Sequence, residues 1–283
     1  MKYGVTVATG KFGRTAVKEL VKVVAPNNVV VIVRNAEKAR KVLPAGIEIR
    51  QADYGDENSL SAALKGIDKL LFISSLPGGP VSRETQHRNI VTAAIQNKVK
   101  FIAYTSFPHA NTAENELASD HKITEKLIRD SGIAHSFLRN NWYIENDLDA
   151  IKTGAAGLPV YYWANNRAGW ALEREYAEGA VKVLLTDQPK EVYEFAGPSR
   201  TYEQFFATVQ QATGKDFNIK QVSEAQYIKY LESNGLNPEV AAMVASFQAP
   251  IDDGSLTEET NDLADILGGL TSLNKAIIEV LNK

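Results

Sequence analysis

Short apolar runs rich in β-branched residues alternate with amphipathic stretches along the first half of the chain. Several of the runs are apolar at nearly every position, which is typical of strands covered by helices on both faces. Because strand, helix and strand alternate, parallel pairing is the natural solution, and the pattern predicts an α/β fold with a doubly wound parallel sheet. The predicted strands are Tyr3–Ala8, Val29–Val33, Ile47–Gln51, Lys69–Ser74, Val99–Thr105 and Ala134–Leu138.

The stretches between these runs repeat their apolar residues at helical spacing. After Gly13, a stripe of Ala16, Val17, Leu20 and Val24 marks the first helix. Similar patterns predict helices over 58–65, 83–98 and 118–130, and again over 171–186, before a short strand at 192–196.

From Pro198 onward the chain becomes helix-rich and less regular. We therefore predict a Rossmann-like sheet domain over residues 1–153, to which 170–196 return. A smaller C-terminal lobe is predicted over 197–283 together with 154–169.

The amino-acid composition excludes several kinds of protein. The chain has 283 residues, 44% of them hydrophobic, a net charge of −3 and no cysteine. Disulfide scaffolds and thiolate metal sites are excluded, and direct nucleic-acid binding is not expected from an acidic balance. No apolar run approaches the length of a membrane span, so we expect a cytoplasmic protein that does not bind a membrane. We expect no catalytic metal, because no zinc-type spacing of ligands occurs.

The turn between the first strand and the first helix is the clearest candidate site. A strand, a turn of small residues and a helix together direct backbone N–H groups and a positive dipole end at one spot, where a pyrophosphate binds. Val7 stands where the G-x-x-G-x-x-G pattern has its first glycine, and a plain tight turn is the alternative. The predicted cofactor-binding residues of this turn are Ala8, Thr9, Gly10, Lys11, Phe12 and Gly13.

The end of the second strand indicates which dinucleotide binds. An acidic residue at this position selects NAD, whereas an arginine accommodates the 2′-phosphate of NADP. The chain has Arg34 there, and we therefore predict NADPH. The later basic residues Lys38, Arg40 and Lys41 are expected to form only a solvated helix face.

Two further segments follow predicted strands, at the sheet edge where ligands bind in such folds. These are Asp53 with Tyr54, and Ser74, Ser75 and Leu76 before Pro77. Ordinary turn chemistry is the alternative explanation for both.

Taken together, the motifs resemble those of the NmrA-like atypical short-chain dehydrogenases, closest to type-2 quinone oxidoreductases and triphenylmethane reductases. The resemblance spans nearly the whole chain. It implies that NADPH binds along the carboxyl edge of the sheet and passes hydride to a quinone or another conjugated acceptor in a cleft between the lobes. The motifs that carry it are Thr6–Gly13, Val33-Arg34, 51–54, Tyr104-Thr105-Ser106, His121 with Glu125, 138–146 and the ending 262–268.

The Y-x-x-x-K pair of ordinary short-chain dehydrogenases is absent. A ketone substrate needs a proton donor at its oxygen, whereas a quinone accepts hydride first and a proton later from water. His121 is the candidate catalytic residue, with a purely structural role as the alternative. Ser106 is a candidate for binding the cofactor carboxamide or the substrate, or else a turn residue.

Asn141, Trp142 and Tyr143 are the candidate substrate-binding residues, because an aromatic wall suits a planar acceptor. They would otherwise belong to the core. The expected partner is a small-molecule acceptor such as a quinone, with a homodimer as one option for the assembly. Two other functions stay open: an NADP(H)-sensing regulator without turnover, as the NmrA side of the family implies, and a sugar-nucleotide epimerase, which normally needs the absent Tyr/Lys pair.

Overall fold

The computed structural model describes residues 1–76, 78–113 and 115–283, so the predicted loop residue Pro77 lies outside the described residues. The strands are β1 (Tyr3–Thr6), β2 (Val29–Val33), β3 (Glu48–Gln51), β4 (Lys69–Phe72), β5 (Phe101–Ser106), β6 (Ala134–Asn140), β7 (Val160–Tyr162), β8 (Arg167–Ala168), β9 (Val192–Phe195), β10 (Arg200–Thr201) and β11 (Ile219–Gln221). The helices are α1 (Lys11–Val23), α2 (Ala36–Val42), α3 (Glu57–Ala63), α4 (Arg83–Gln96), α5 (Glu116–Asp130), α6 (Leu148–Ala155), α7 (Glu173–Leu185), α8 (Tyr202–Thr213), α9 (Glu224–Ser233), α10 (Pro238–Ser246), α11 (Ala249–Asp252), α12 (Asp262–Leu267) and α13 (Leu273–Leu281).

The main sheet has seven strands among the described residues, in the order β3-β2-β1-β4-β5-β6-β9. Every pairing in it is parallel, and Tyr3 of β1 is in register with Val29 on one side and Lys69 on the other. From β1 the strands continue through β2 to β3 toward one edge of the sheet, and from β4 they continue through β5 and β6 to β9 toward the other edge. The predicted doubly wound sheet is confirmed, and its strand order reverses between β1 and β4. Ligands bind at such a switch point, outside the carboxyl ends of the strands.

Helices cover the sheet in two layers. Helix α1 packs against α7, whereas α3, α4 and α5 pack in sequence against one another. Right-handed crossovers from β1 toward β2 and from β4 toward β5 place these groups on opposite faces. The inner strands are therefore buried on both sides, which explains why β2 is apolar and buried at all five positions, whereas the edge strand β3 is only partly buried.

The ends of the elements differ from prediction where the candidate site lies. Strand β1 ends at Thr6, two residues earlier than predicted, because Val7 leaves the extended conformation with φ +51°. Helix α1 begins at Lys11, before Gly13. Strand β4 ends at Phe72, so Ser74 belongs to a loop and not to the strand.

The chain divides into two compact units. The first unit comprises 1–140, 173–195 and 265–268, and the second comprises 141–172, 196–264 and 269–283. The chain first passes from one unit to the other at the end of β6. In the second unit β7 pairs with β11, β8 pairs with β10, and α8 packs on α6 and α13. Within the described residues, no helix is both long and apolar enough to cross a membrane.

Candidate functional site

The turn after β1 has the backbone geometry of a glycine-rich turn although Val7 occupies its first position. Val7 has φ +51°, a left-handed conformation that is rare for a β-branched residue. The N–H of Gly10 donates to the Val7 carbonyl at 3.0 Å and closes the turn. A Cβ on Gly13 would lie 2.5 Å from that carbonyl oxygen and 2.7 Å from Ala8 Cα. Gly13 is therefore required for the close packing of α1 on β1.

The N-terminus of α1 is suited to an anion. Gly10 is its N-cap, no side chain caps it, and its first turn contains no acidic residue. Peptide N–H groups and the positive end of the helix dipole are directed to this point. Of the neighbouring predicted residues, Ala8 and Phe12 are buried, whereas Lys11 is exposed. The structure thus brings the predicted turn residues together at the switch point of the sheet.

Arg34 follows β2, the strand next to β1. Its side chain is exposed, and no hydrogen bond or ion pair holds it among the described residues. Asn35 accepts the Lys38 N–H and begins α2, on which Lys38, Arg40 and Lys41 are all exposed. A guanidinium at this position is available to a ligand phosphate.

The segment after β3 supports the sheet edge. The exposed Asp53 carboxylate accepts the Gly55 N–H at 2.7 Å, as in ordinary turn chemistry. The buried Tyr54 hydroxyl donates to the Ile73 carbonyl at 2.8 Å and fastens this segment to the end of β4. Burial raises the pKa of Tyr54, which keeps the phenol protonated.

The segment after β4 is held by two side chains. Ser74 N–H donates to Thr105 Oγ1 at 2.9 Å, and Ser75 N–H donates to His87 Nε2 at 3.1 Å. Leu76 is 87% exposed. Because β1 and β4 are parallel neighbours, this segment and the Val7–Gly13 turn both lie at the carboxyl edge of the sheet, one on each side of the switch point, where such folds have their ligand-binding crevice.

A buried polar network lies beside this crevice. Tyr104 Oη is 2.8 Å from His121 Nδ1, and Arg83 Nη2 is 3.1 Å from His121 Nε2. A guanidinium has only donors, so His121 Nε2 accepts and Nδ1 carries the proton. Burial and then the charge of Arg83 lower the pKa of His121 well below its ordinary value, so the ring is neutral.

Ser106 belongs to a second buried cluster, at the carboxyl end of β5. Its hydroxyl donates to Glu125 Oε1 at 2.7 Å. Arg139 holds both oxygens of the same carboxylate, at 2.9 and 2.8 Å, and contacts Glu194 at 2.7 Å. The Ser106 proton is thus already used, and the hydroxyl can offer a further ligand only its lone pairs.

Comparison with known proteins identifies the family. The NAD(P)H-binding family profile matches residues 8–168, more than half of the chain. The chain belongs to this NAD(P)H-binding family. The matched stretch begins in the turn after β1 and ends at β8, so it contains the His121 network and all of the Ser106 cluster except Glu194.

Relatives of known identity match over the full length. Quinone oxidoreductase 2 of Escherichia coli (strain K12) is 38% identical over 282 residues, which cover 98% of each chain. The solved structure of the NADPH-dependent quinone oxidoreductase from Escherichia coli complexed with NADPH has a TM-score of 0.91 at 37% identity, covering 99% of this chain and 100% of that one. Triphenylmethane reductase from Citrobacter sp. has a TM-score of 0.92 at 28% identity, with both chains fully covered. These matches confirm the resemblance that the sequence motifs indicate.

The predicted acceptor-binding residues of this NAD(P)H-binding chain lie in the second unit. Asn141 Oδ1 accepts the N–H groups of Trp142 and Gly169, both at 2.9 Å, and its Nδ2 donates to the Leu256 carbonyl at 3.0 Å. Both polar atoms of the Asn141 amide are therefore engaged inside this unit. Tyr143 is half-buried, and its backbone bridges to Ala171.

Trp142 belongs to a cluster around Asp147. The carboxylate accepts the indole N–H groups of Trp142 at 3.1 Å and Trp170 at 2.8 Å, and the Tyr202 hydroxyl at 3.0 Å. Burial raises the pKa of Asp147 to about 6, although the three hydrogen bonds act in the opposite direction. The cluster connects the start of the second unit to the segment after β8 and to α8.

The structure reveals important side chains that sequence reasoning missed. Arg83, His87 and Thr124 belong to the network beside the crevice, and Asp147 organises the second unit. Most of their partners come from other elements of the chain, as with His87 and Thr124, which are 37 residues apart, so no local pattern singles these side chains out. No group of three or more potential metal ligands occurs among the described residues.

Proposed function

We propose that this chain is an NADPH-dependent oxidoreductase that reduces a quinone or a similar conjugated acceptor. The turn after β1, set at the switch point against the uncapped N-terminus of α1, carries the proposal. The 38% identity to quinone oxidoreductase 2 over the whole chain supports the choice of acceptor. A doubly wound sheet alone would leave the acceptor open, since folds of this type host many activities.

The residues of the crevice fit the dinucleotide. Gly10 and the first turn of α1 would hold the pyrophosphate, and Arg34 would pair with the 2′-phosphate. On the opposite wall, Ser74 and Ser75 would lie along the cofactor. We retain roles in cofactor binding for the remaining predicted residues of the first unit: Ala8, Thr9, Lys11, Phe12, Gly13, Asp53, Tyr54, Leu76 and Ser106.

The buried groups beside the crevice position the reactants and do not supply a proton. NADPH supplies the hydride when bound, and reduction of a quinone to the hydroquinone requires one proton in addition. His121 is neutral with its Nε2 facing Arg83, and Ser106 donates its proton to Glu125. We therefore propose that water supplies this proton and that His121 acts only through its hydrogen bonds. Because neither side chain is placed to donate a proton to the acceptor, an electrophilic acceptor is favoured over a ketone.

The acceptor-binding role of Asn141, Trp142 and Tyr143 stays a proposal. Asn141 and Trp142 already use their polar atoms within the second unit, so they would act by presenting shape and apolar surface. Tyr143 is the half-buried member of the three and offers an aromatic face to a planar acceptor.

A panel of small quinones tests the proposal. The wild-type chain is expected to oxidise NADPH, followed at 340 nm, only when a quinone is present, and to bind NADPH in titration calorimetry. NADPH binding with no turnover on any quinone or conjugated dye would contradict the proposed activity. That outcome would favour the NADP(H)-sensing regulator instead.

A further inference from the structure

The two amides after β4 are held by side chains from two neighbouring elements. Thr105 of β5 accepts the Ser74 N–H, and His87 of α4 accepts the Ser75 N–H at 3.1 Å. Ser75 Oγ also lies 3.2 Å from the same ring nitrogen. The proposed function uses Ser74 and Ser75 but gives His87 no part.

The contacts of His87 determine its tautomer. Because a backbone N–H faces Nε2, this nitrogen must accept, and the ring proton lies on Nδ1. Nδ1 is 2.8 Å from Thr124 Oγ1, which in turn donates to the Asp120 carbonyl at 2.7 Å. Each group therefore donates to the next one: the Ser75 N–H to the His87 ring, the ring to Thr124, and Thr124 to the Asp120 carbonyl of α5.

The surroundings of His87 keep the ring neutral and fixed in place. The side chain is fully buried, and its ring packs edge-on against Phe72 at 5.0 Å and Tyr104 at 5.8 Å. Burial, with a further contribution from Arg83, lowers the pKa of His87 to about 3. The ring therefore remains an acceptor for Ser75 throughout the physiological pH range.

We propose that His87 is a positioning residue for the nicotinamide cofactor. It acts through Ser75: the Nε2 acceptor fixes one wall of the crevice, opposite the Val7–Gly13 turn, in the shape that binds NADPH. The inference rests on the proposed function and adds a residue that does not itself touch cofactor or acceptor. Loss of the acceptor leaves the Ser75 amide without its partner, and we expect NADPH affinity to fall about five- to tenfold.

A pair of variants at His87 separates positioning from core packing. His87→Leu fills the space without an acceptor, whereas His87→Gln reaches Ser75 with its Oε1. For His87→Leu, the Kd and KM for NADPH are expected to rise about five- to tenfold, with kcat for 1,4-benzoquinone within about threefold of wild type. For His87→Gln, Kd and KM are expected to stay within about threefold of wild type, since the acceptor is restored.

Thr124→Val removes the hydroxyl that partners His87 Nδ1, and it also tests the proposal if His87→Leu does not fold. Without Thr124 Oγ1, the Nδ1 proton loses its partner at 2.8 Å and keeps only the more distant Tyr104 Oη, at 3.4 Å, so the tautomer that accepts from Ser75 is less strongly favoured. NADPH affinity should fall in the same direction as in His87→Leu. Ser136→Ala is the matched control, because the buried Ser136 hydroxyl donates to the Lys190 carbonyl at 2.6 Å, remote from the crevice. Its KM for NADPH should stay unchanged.

Two results would overturn the proposal. One is a folded His87→Leu or Thr124→Val protein with wild-type Kd and KM for NADPH. The other is an equal rise of the KM for NADPH in Ser136→Ala, which would show that the loss of any buried hydrogen bond has this effect. Absence of NADPH binding in the wild-type chain would contradict the proposed function together with this inference, and it is detected before any variant is made.

Discussion

Arg83 Nη2 lies 3.1 Å from His121 Nε2, and both side chains are buried. A protonated His121 would therefore place two cations side by side in the interior, where little water screens them. The ring instead accepts from Arg83 and donates to Tyr104. This pair explains why a histidine beside the crevice is unsuited to general acid catalysis.

The first prediction follows from this pair. His121→Ala is expected to lower kcat for a quinone by less than about 100-fold, the low end for a positioned general acid. Between pH 5.5 and 8, wild-type kcat should show no inflection near 6.5 that the variant removes, because burial and the charge of Arg83 hold the pKa of His121 well below that ordinary value. Stopped-flow traces of NADPH oxidation across this range provide the measurement. A loss of several orders of magnitude would assign the proton transfer to His121.

The second prediction concerns cofactor choice at Arg34. A guanidinium meets a 2′-phosphate with two charge-assisted hydrogen bonds but gains little from a 2′-hydroxyl. The wild type should therefore prefer NADPH over NADH by at least about tenfold in affinity, and Arg34→Ala should remove most of that preference while NADH binding stays nearly unchanged. Titration calorimetry with both cofactors measures this.

Arg40→Ala is the control for Arg34, since Arg40 is an exposed cation nearby on α2. It should keep the preference for NADPH. Equal binding of both cofactors by the wild type, or a parallel loss of NADH and NADPH in Arg34→Ala, would show that Arg34 is only a solvated residue.

The third prediction concerns Val7. A Cβ on Gly10 would lie 3.7 Å from Val7 Cγ1, so the isopropyl group borders the glycine where the phosphates approach. Val7→Gly should strengthen NADPH binding about three- to tenfold, since the turn keeps its conformation and loses the bulk. Val7→Ala removes the bulk but retains a side chain at positive φ, so it separates steric from conformational effects. Calorimetric affinities that fall or stay level in both variants would show that the turn already accommodates valine.

The sheet could be predicted from the sequence because its signal is local. Strand β2 consists of five apolar residues in a row, and α1 has its apolar residues at helical spacing. The site could be predicted only as far as its backbone motif extends. The φ of Val7 follows from the packing of Gly13 against its carbonyl, and valine by itself favours the opposite sign. The roles of Arg83 and His87 depend on partners in α5, far along the chain.

The second unit shows the same limit. Helix α8 was predictable with both of its ends, since Thr201 and Gln204 form a capping box and Gly214 ends the helix in the left-handed conformation. Strands β8 and β10 contain two residues each, too few to produce an alternating pattern. Asp147 has no sequence signature, because its three donors come from separate elements.

The last prediction concerns that carboxylate. Its pKa in the folded chain is about 6, above the ordinary 3.8, so folding favours the protonated form. The stabilisation that this group contributes is therefore present at low pH and is lost as pH rises from about 4 through 6. Asp147→Asn removes this loss: its Oδ1 accepts the two indole N–H groups and its Nδ2 donates to Tyr202. Between pH 4.5 and 7.5 the free energy of unfolding of the variant, relative to wild type, should rise by about 1–2 kcal/mol, a figure reduced for partial solvent access.

Urea unfolding of wild type and Asp147→Asn at both pH values measures this rise. Asp149→Asn, at an exposed carboxylate on α6, is the control that should show no such rise. A constant difference between Asp147→Asn and wild type across this range would mean that Asp147 ionises as readily in the folded chain as in the unfolded one.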